Sequence, residues 1–140
     1  MSRAYDIVLL GASGFTGALT AEYLEKNAPE GLRRAVAGRN KAKLERFGRD
    51  IVYADATDPE SLRKLAGSTK VVATTVGPYI QYGEGLVAAC AEAGTGYLDL
   101  TGEPEFADRM YVRYHERATR TGARIIHACG FDSIPYDLGV

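Results

Sequence analysis

The residues with the most specific chemistry are Gly11-Ala12-Ser13-Gly14-Phe15-Thr16-Gly17, which follow the unbroken apolar run Asp6–Leu10. A run of that length, closed by glycine, fits a strand buried on both faces of a parallel sheet. The pattern over 15–26 then predicts a helix, with Phe15, Ala18, Leu19 and Tyr23 on its inner face. In such a setting Gly11 permits a tight turn and Gly14 lets backbone come close to a phosphate. Gly17 lets the helix pack against the strand. The helix N-terminus adds free N–H groups and a dipole that favours an anion. Strand, glycine loop and helix in one unit are the context in which this triplet binds the pyrophosphate of a dinucleotide.

The second strand, Arg34–Gly38, ends about 20 residues beyond the loop in Arg39-Asn40. An acidic residue there would bind a ribose 2′-hydroxyl and repel a 2′-phosphate. Arg39 instead offers a guanidinium fork, with Lys41 and Lys43 nearby, so the expected cofactor is NADP. Asn40 stands beside it and can also cap the short helix expected over 41–47. Asp55-Ala56 follows the third strand, where an adenine ring rests, although Asp55 is equally suited to cap a turn. Thr75-Val76-Gly77-Pro78 closes the fourth strand at the topological switch point. The residues expected at the cofactor are therefore Gly11, Ser13, Gly14, Phe15, Thr16, Gly17, Arg39, Asn40, Asp55, Ala56, Thr75, Val76, Gly77 and Pro78.

The remaining elements alternate. Strands are expected at 51–54, 70–76, 96–100 and 124–129, and helices at 59–67, 83–93 and 104–121. Asp58-Pro59 is an N-cap followed by proline at the first helical position, and Gly94 and Gly122 are stops. About six strands alternating with helices in 140 residues predict an α/β fold, a doubly wound parallel sheet of the Rossmann type.

Composition excludes several classes. Net charge is -1, so no global field recruits nucleic acid, and no apolar run is long enough to span a membrane. The N-terminus lacks a signal-peptide layout, and the two cysteines have no disulfide or metal spacing. A reduced, cytoplasmic protein is the expectation, with no metal site. None of the nine tyrosines has a lysine four residues later, which disfavours the short-chain dehydrogenase proton relay. No phosphate-loop Gly-Lys-Ser/Thr signature is present.

Several further segments occur in order: Gly77-Pro78-Tyr79, Tyr82-Gly83-Glu84, Ala89-Cys90, Tyr97-Leu98-Asp99-Leu100-Thr101-Gly102-Glu103, and 130–139 from Gly130-Phe131-Asp132-Ser133 to Gly139. With the glycine loop and Ala37-Gly38-Arg39, they resemble the saccharopine dehydrogenase-like oxidoreductases, and within them the trans-acting enoyl reductase branch. The resemblance covers essentially the whole chain, as that family's N-terminal NADP-binding domain. It implies an NADPH-dependent reductase acting on a small-molecule or carrier-bound acyl substrate, with a C-terminal substrate domain beyond residue 140. It leaves homo-oligomerisation open. A non-catalytic regulator that senses NADP would have the same cofactor half.

Chemistry is expected at the carboxyl edge of the sheet. Tyr79 and Tyr82 are candidates to cover the nicotinamide or donate a proton, though both are ordinary packing groups too. Asp132 and Ser133 are weaker candidates, equally able to cap the last helix or mark a hinge. Glu103, before Pro104, is expected to favour the N-terminus of the long helix. His127, in an apolar run, is expected to be a satisfied core histidine, and His115 a solvated one.

Overall fold

The computed structural model describes residues 2–140. Six parallel strands form one sheet in the order β3-β2-β1-β4-β5-β6. They are β1 (Tyr5–Leu10), β2 (Arg34–Gly38), β3 (Asp50–Tyr53), β4 (Thr69–Thr74), β5 (Gly96–Leu98) and β6 (Ile125–Ile126). The helices are α1 (Phe15–Asn27), α2 (Lys41–Leu44), α3 (Pro59–Ser68), α4 (Tyr79–Tyr82), α5 (Glu84–Ala93), α6 (Pro104–Thr121) and α7 (Ile134–Leu138). This is the doubly wound order, in which the chain reverses direction across the sheet between β1 and β4 and leaves a crevice at their carboxyl ends.

Strand alternation divides the core into two unequal parts. Val8, Leu10, Ala35, Ala37, Val72 and Tyr97 face α3, α5 and α6 and belong to one large cluster with Leu62, Leu65, Val87, Cys90, Phe106 and Met110. Leu9, Val36 and Ile51 face the other way, under α1 and α2, in a much smaller cluster. Beyond β1 that second face has no helix over it among the described residues. Val71, Leu98 and Ile126 share it through the pairings Val71↔Gly96, Ala73↔Leu98 and Leu98↔Ile126, and none of the three is fully buried. They line a shallow groove of about 290 Å³.

Three expectations need correction. The inner face of α1 is not the aromatic one. Phe15, Leu19 and Tyr23 are exposed, at 85%, 53% and 66%, whereas Gly17 is buried and Ala18, Ala21 and Leu24 are half-buried. The reason is distance: the helix starts almost in contact with the strand-end backbone, so only small side chains fit beneath its first turns. The sixth strand is two residues long, not six, because the chain turns after Ile126 towards Asp99. Ala128 sits at φ +55° with its N–H on Asp99 Oδ1 (3.0 Å), and Cys129 donates to the Asp99 carbonyl (2.8 Å). The helix expected over 41–47 is one α-turn followed by a 3-10 turn at Glu45–Phe47, closed by Gly48 at φ +59°.

The N-terminal segment is fastened by Arg3. Its guanidinium donates to the carbonyls of Ala66 (2.6 Å) and Ala93 (2.5 Å), in the last turns of α3 and α5, where a cation opposes the negative end of each helix.

Candidate functional site

The crevice at the switch point is a groove of about 470 Å³. Four strand ends build it. Leu10, Gly11, Ser13 and Gly14 come from the β1–α1 loop, and Gly38 and Arg39 from the end of β2. Ala54, Asp55, Ala56 and Thr57 follow β3, and Thr75, Val76 and Gly77 follow β4, with Tyr82 contributed by α4.

The floor is shaped by glycine. Gly11 has φ +94°, and a Cβ there would lie 2.7 Å from Thr75 Oγ1 and 2.9 Å from Val76 Cγ2, so the turn admits no side chain. Thr75 hydroxyl in turn donates to the Gly11 carbonyl (3.3 Å), which ties the β1 and β4 loops together. The first helical bond of α1 runs from Ala18 N–H to Gly14 O (2.9 Å), so the N–H groups of Phe15, Thr16 and Gly17 precede the ladder. No side chain caps them and no acidic residue stands in the first turn. At the same sheet edge, α2 and α3 are capped by Asn40 Oδ1 and Asp58 Oδ1. The N-terminus of α1, at the glycine loop, lacks such a cap. Gly14 differs from its neighbours in having space: an added Cβ would meet nothing in the protein nearer than the Gly11 carbonyl at 3.5 Å. Its glycine is therefore not demanded by packing, which fits a surface that something else must approach.

At the far end of the groove Arg39 is exposed, and no carboxylate pairs with it among the described residues. Asp55 Oδ1 accepts from Thr57 N–H (2.8 Å) and Thr57 hydroxyl (2.7 Å), a closed Asx turn. Those bonds, with Arg39 nearby, hold its carboxyl below the usual range. Asp55 thus caps its own loop and lines the groove as well.

The structure does not bring every expected residue to this surface. Phe15, Thr16, Gly17, Asn40 and Pro78 do not line the groove. Gly17 serves helix packing, and Asn40 spends its carbonyl on Lys43 N–H (3.1 Å). Of the two tyrosines, Tyr82 lines the groove and Tyr79 does not. Tyr79 is buried against Phe106 with its hydroxyl donating to Thr74 O (3.0 Å), and burial pushes its pKa up to about 12. Tyr79 is therefore corrected from catalytic candidate to packing residue. Asp132 and Ser133 also lie off the groove, and Ser133 stands at the start of α7 without a side-chain cap bond.

Behind the groove lies a buried carboxylate whose importance sequence reasoning missed. Asp99 accepts from Tyr97 hydroxyl (2.8 Å), Thr101 N–H (3.0 Å), Ala128 N–H (3.0 Å) and pairs with His127 Nδ1 (2.7 Å). Burial alone would raise its pKa; the bonds from His127, Thr101 and Tyr97 outweigh that and lower it. His127 is half-buried, its Nδ1 on Asp99 and its ring edge-on to Tyr97 and Phe106, while His115 stacks on Tyr111 at the surface. The only sequence signal for the hub was the polar Asp99 and His127 within otherwise apolar strand runs.

Residues 7–126, most of the chain and all of the groove, match the family model described as the saccharopine dehydrogenase NADP binding domain. The chain belongs to that family. As a saccharopine dehydrogenase-type NADP-binding domain it has close relatives. It is 50% identical, over 99% of its length, to a trans-acting enoyl reductase of Mycobacterium tuberculosis and 49% identical to one of Mycobacterium leprae. It spans 35% of the length of each. The fold of this domain is also that of the apo saccharopine dehydrogenase (L-Glu forming) from Saccharomyces cerevisiae, with TM-score 0.71 and 20% identity over 91% of this chain and 28% of that one. A Citrobacter sp. triphenylmethane reductase complexed with NADP(H) superposes with TM-score 0.65 at 22% identity, over 87% of this chain and 48% of that one. The groove suits the group in the family's name. It offers an uncapped helix N-terminus, a glycine with room above it, and an unpaired arginine at the second strand end. Among the described residues no helix is long and apolar enough to cross a membrane.

Proposed function

We propose that this domain binds NADPH across the groove and serves a reductase that transfers hydride to an enoyl thioester carried by a lipid-synthesising enzyme. The observation that carries the cofactor half is the unpaired Arg39 at the end of β2, where a carboxylate would select NAD. Arg39 would take the 2′-phosphate, Asp55 and Ala56 would flank the adenine, and the uncapped start of α1 behind Ser13 and Gly14 would receive the pyrophosphate. Thr75, Val76, Gly77 and Tyr82 border the nicotinamide half. NADPH supplies the hydride, and Tyr82 is the one tyrosine of the groove positioned to cover the ring or hand a proton to the reduced product.

The substrate class is supported by the identity to the enoyl reductases over nearly the whole chain. In the whole protein a second domain completes the substrate pocket. The relatives' length supports this, as do the uncovered apolar residues Val71, Leu98 and Ile126 on the sheet. The setting is cytoplasmic.

The test is NADPH oxidation by the full-length protein presented with enoyl thioesters and, separately, with imine-forming pairs of an amino acid and a carbonyl compound. Turnover of the enoyl thioester alone is expected. Turnover of the imine pair alone would move the protein to the saccharopine-forming branch. NADPH binding with no turnover of either would favour a sensor.

A further inference from the structure

We infer that Glu103 is a positioning residue for the nicotinamide side of the groove, acting through the backbone of α4. The inference rests on the reading that NADPH occupies the groove with its nicotinamide half beside Thr75–Tyr82. Helix α4 has four residues and runs into α5 through Gly83, itself in helical conformation, so the N–H groups of Tyr79 and Ile80 form the open end of the joined helices. Its N-cap is Pro78, which has no side-chain acceptor for the first-turn N–H groups. Glu103 supplies both acceptors from across the sheet edge. Its Oε1 takes Tyr79 N–H at 3.1 Å and its Oε2 takes Ile80 N–H at 2.6 Å. A carboxylate at a helix N-terminus also opposes the helix dipole favourably.

The clamp is anchored in the interior rather than in solvent. Glu103 N–H donates to Thr101 Oγ1 (3.1 Å), and Thr101 N–H donates to Asp99 Oδ1 (3.0 Å). Asp99 is the buried hub that also holds His127 and the turn at Ala128. Three carboxyl-edge connections, after β4, β5 and β6, are thereby fastened to one another. Glu103 does not itself line the groove, whereas Tyr82, at the end of the turn it holds, does. Its effect on a ligand is therefore indirect and confined to one end. Arg39 and the adenosine end of the groove are built by other loops.

That asymmetry gives the test. Calorimetric titrations of the chain, its E103Q variant and its E103D variant would use NADPH and 2′,5′-ADP, which carries the 2′-phosphate half and no nicotinamide. Each variant keeps part of the clamp, so the comparison survives if one of them fails to fold. The expected result is an NADPH affinity lowered about tenfold with 2′,5′-ADP affinity within about twofold of the parent. Equal losses for both ligands would make Glu103 a general structural residue, and no loss for either would make the clamp irrelevant to the site; both outcomes overturn the inference. A parent chain that binds NADPH no more tightly than 2′,5′-ADP would instead overturn the underlying reading of the nicotinamide half, and the inference with it.

Discussion

A Cβ placed on Gly17 would collide with the carbonyl oxygen of Gly11 and lie 2.6 Å from its carbonyl carbon. Backbone meets backbone here, so neither partner can move aside as a side chain would. Gly17→Ala is expected to destabilise the domain by about 3 kcal/mol, at the upper end of overpacking, with the loop displaced and NADPH binding lost. Gly14→Ala gives the contrast. Its nearest protein atom is 3.5 Å away, so stability should stay within about 0.5 kcal/mol of the parent, while NADPH affinity falls. Urea denaturation and calorimetry on the two variants separate them, and a Gly14→Ala domain that binds normally would argue that no ligand approaches that backbone.

Arg39 should decide the choice between phosphorylated and unphosphorylated cofactor. A guanidinium on a phosphate is a charge-assisted contact worth about 1.5–3 kcal/mol, or roughly 10- to 150-fold in affinity. Arg39→Ala is expected to weaken NADPH by that factor and leave NADH nearly unchanged. Arg39→Glu should reverse the preference. Parallel calorimetric titrations with the two nucleotides read both effects, and a parent domain with equal affinities would remove the case for a 2′-phosphate site.

The two tyrosines of α4 should behave oppositely. Tyr79→Phe removes one buried hydrogen bond to Thr74 O and is expected to cost about 1 kcal/mol of stability, with NADPH binding and turnover unchanged. Its hydroxyl is buried, spends its proton on Thr74 O and does not reach the groove. Tyr82→Phe should leave stability within about 0.5 kcal/mol of the parent. In the full-length reductase it should lower kcat by about tenfold or more if Tyr82 delivers the proton. Solvent isotope effects on kcat in the parent and in Tyr82→Phe check the assignment.

Asp99 should make the domain acid-sensitive. Its folded pKa is below the ordinary carboxylate value, so the stability it contributes is complete above about pH 4. It is lost as pH falls through the lower folded value. Asp99→Asn keeps the shape but leaves the arrangement of Tyr97, Thr101, His127 and Ala128 without its second acceptor oxygen. A loss of about 3 kcal/mol at pH 7 is expected, shrinking as pH falls below 4. Denaturation curves at pH 7 and at pH 3 test this; a pH-independent difference between Asp99→Asn and the parent would contradict it.

Much of this molecule was legible in local pattern. The strand and helix order, the glycine turn, the Asp58-Pro59 start of α3 and the stops at Gly94 and Gly122 all depend on residues a few positions apart. Gly11, Gly14 and Arg39 could be located because each sits at a fixed offset from a strand end. The face buried by α1 could not be read in this way. Periodicity counts apolar residues, but the separation between helix and strand, set at Gly17 and Gly11, decides which sizes fit beneath. Phe15, Leu19 and Tyr23 obey a helical spacing and still point outwards.

The sequence by itself determined the class of fold, the glycine loop that follows the first strand and the absence of a carboxylate at the second strand end, since these are local properties of chain conformation and charge. Only the tertiary structure decided what the polar residues of the carboxyl edge do. Tyr79 turned inwards and Tyr82 towards the groove although three positions separate them in one short helix. Glu103 passed over its own helix to hold another 23 and 24 residues earlier. Asp99 gathered partners from two segments nearly 30 residues apart. Hydrogen bonds of that kind depend on where the sheet brings strand ends together, and a distance created by folding leaves no mark in the spacing of residues along the chain.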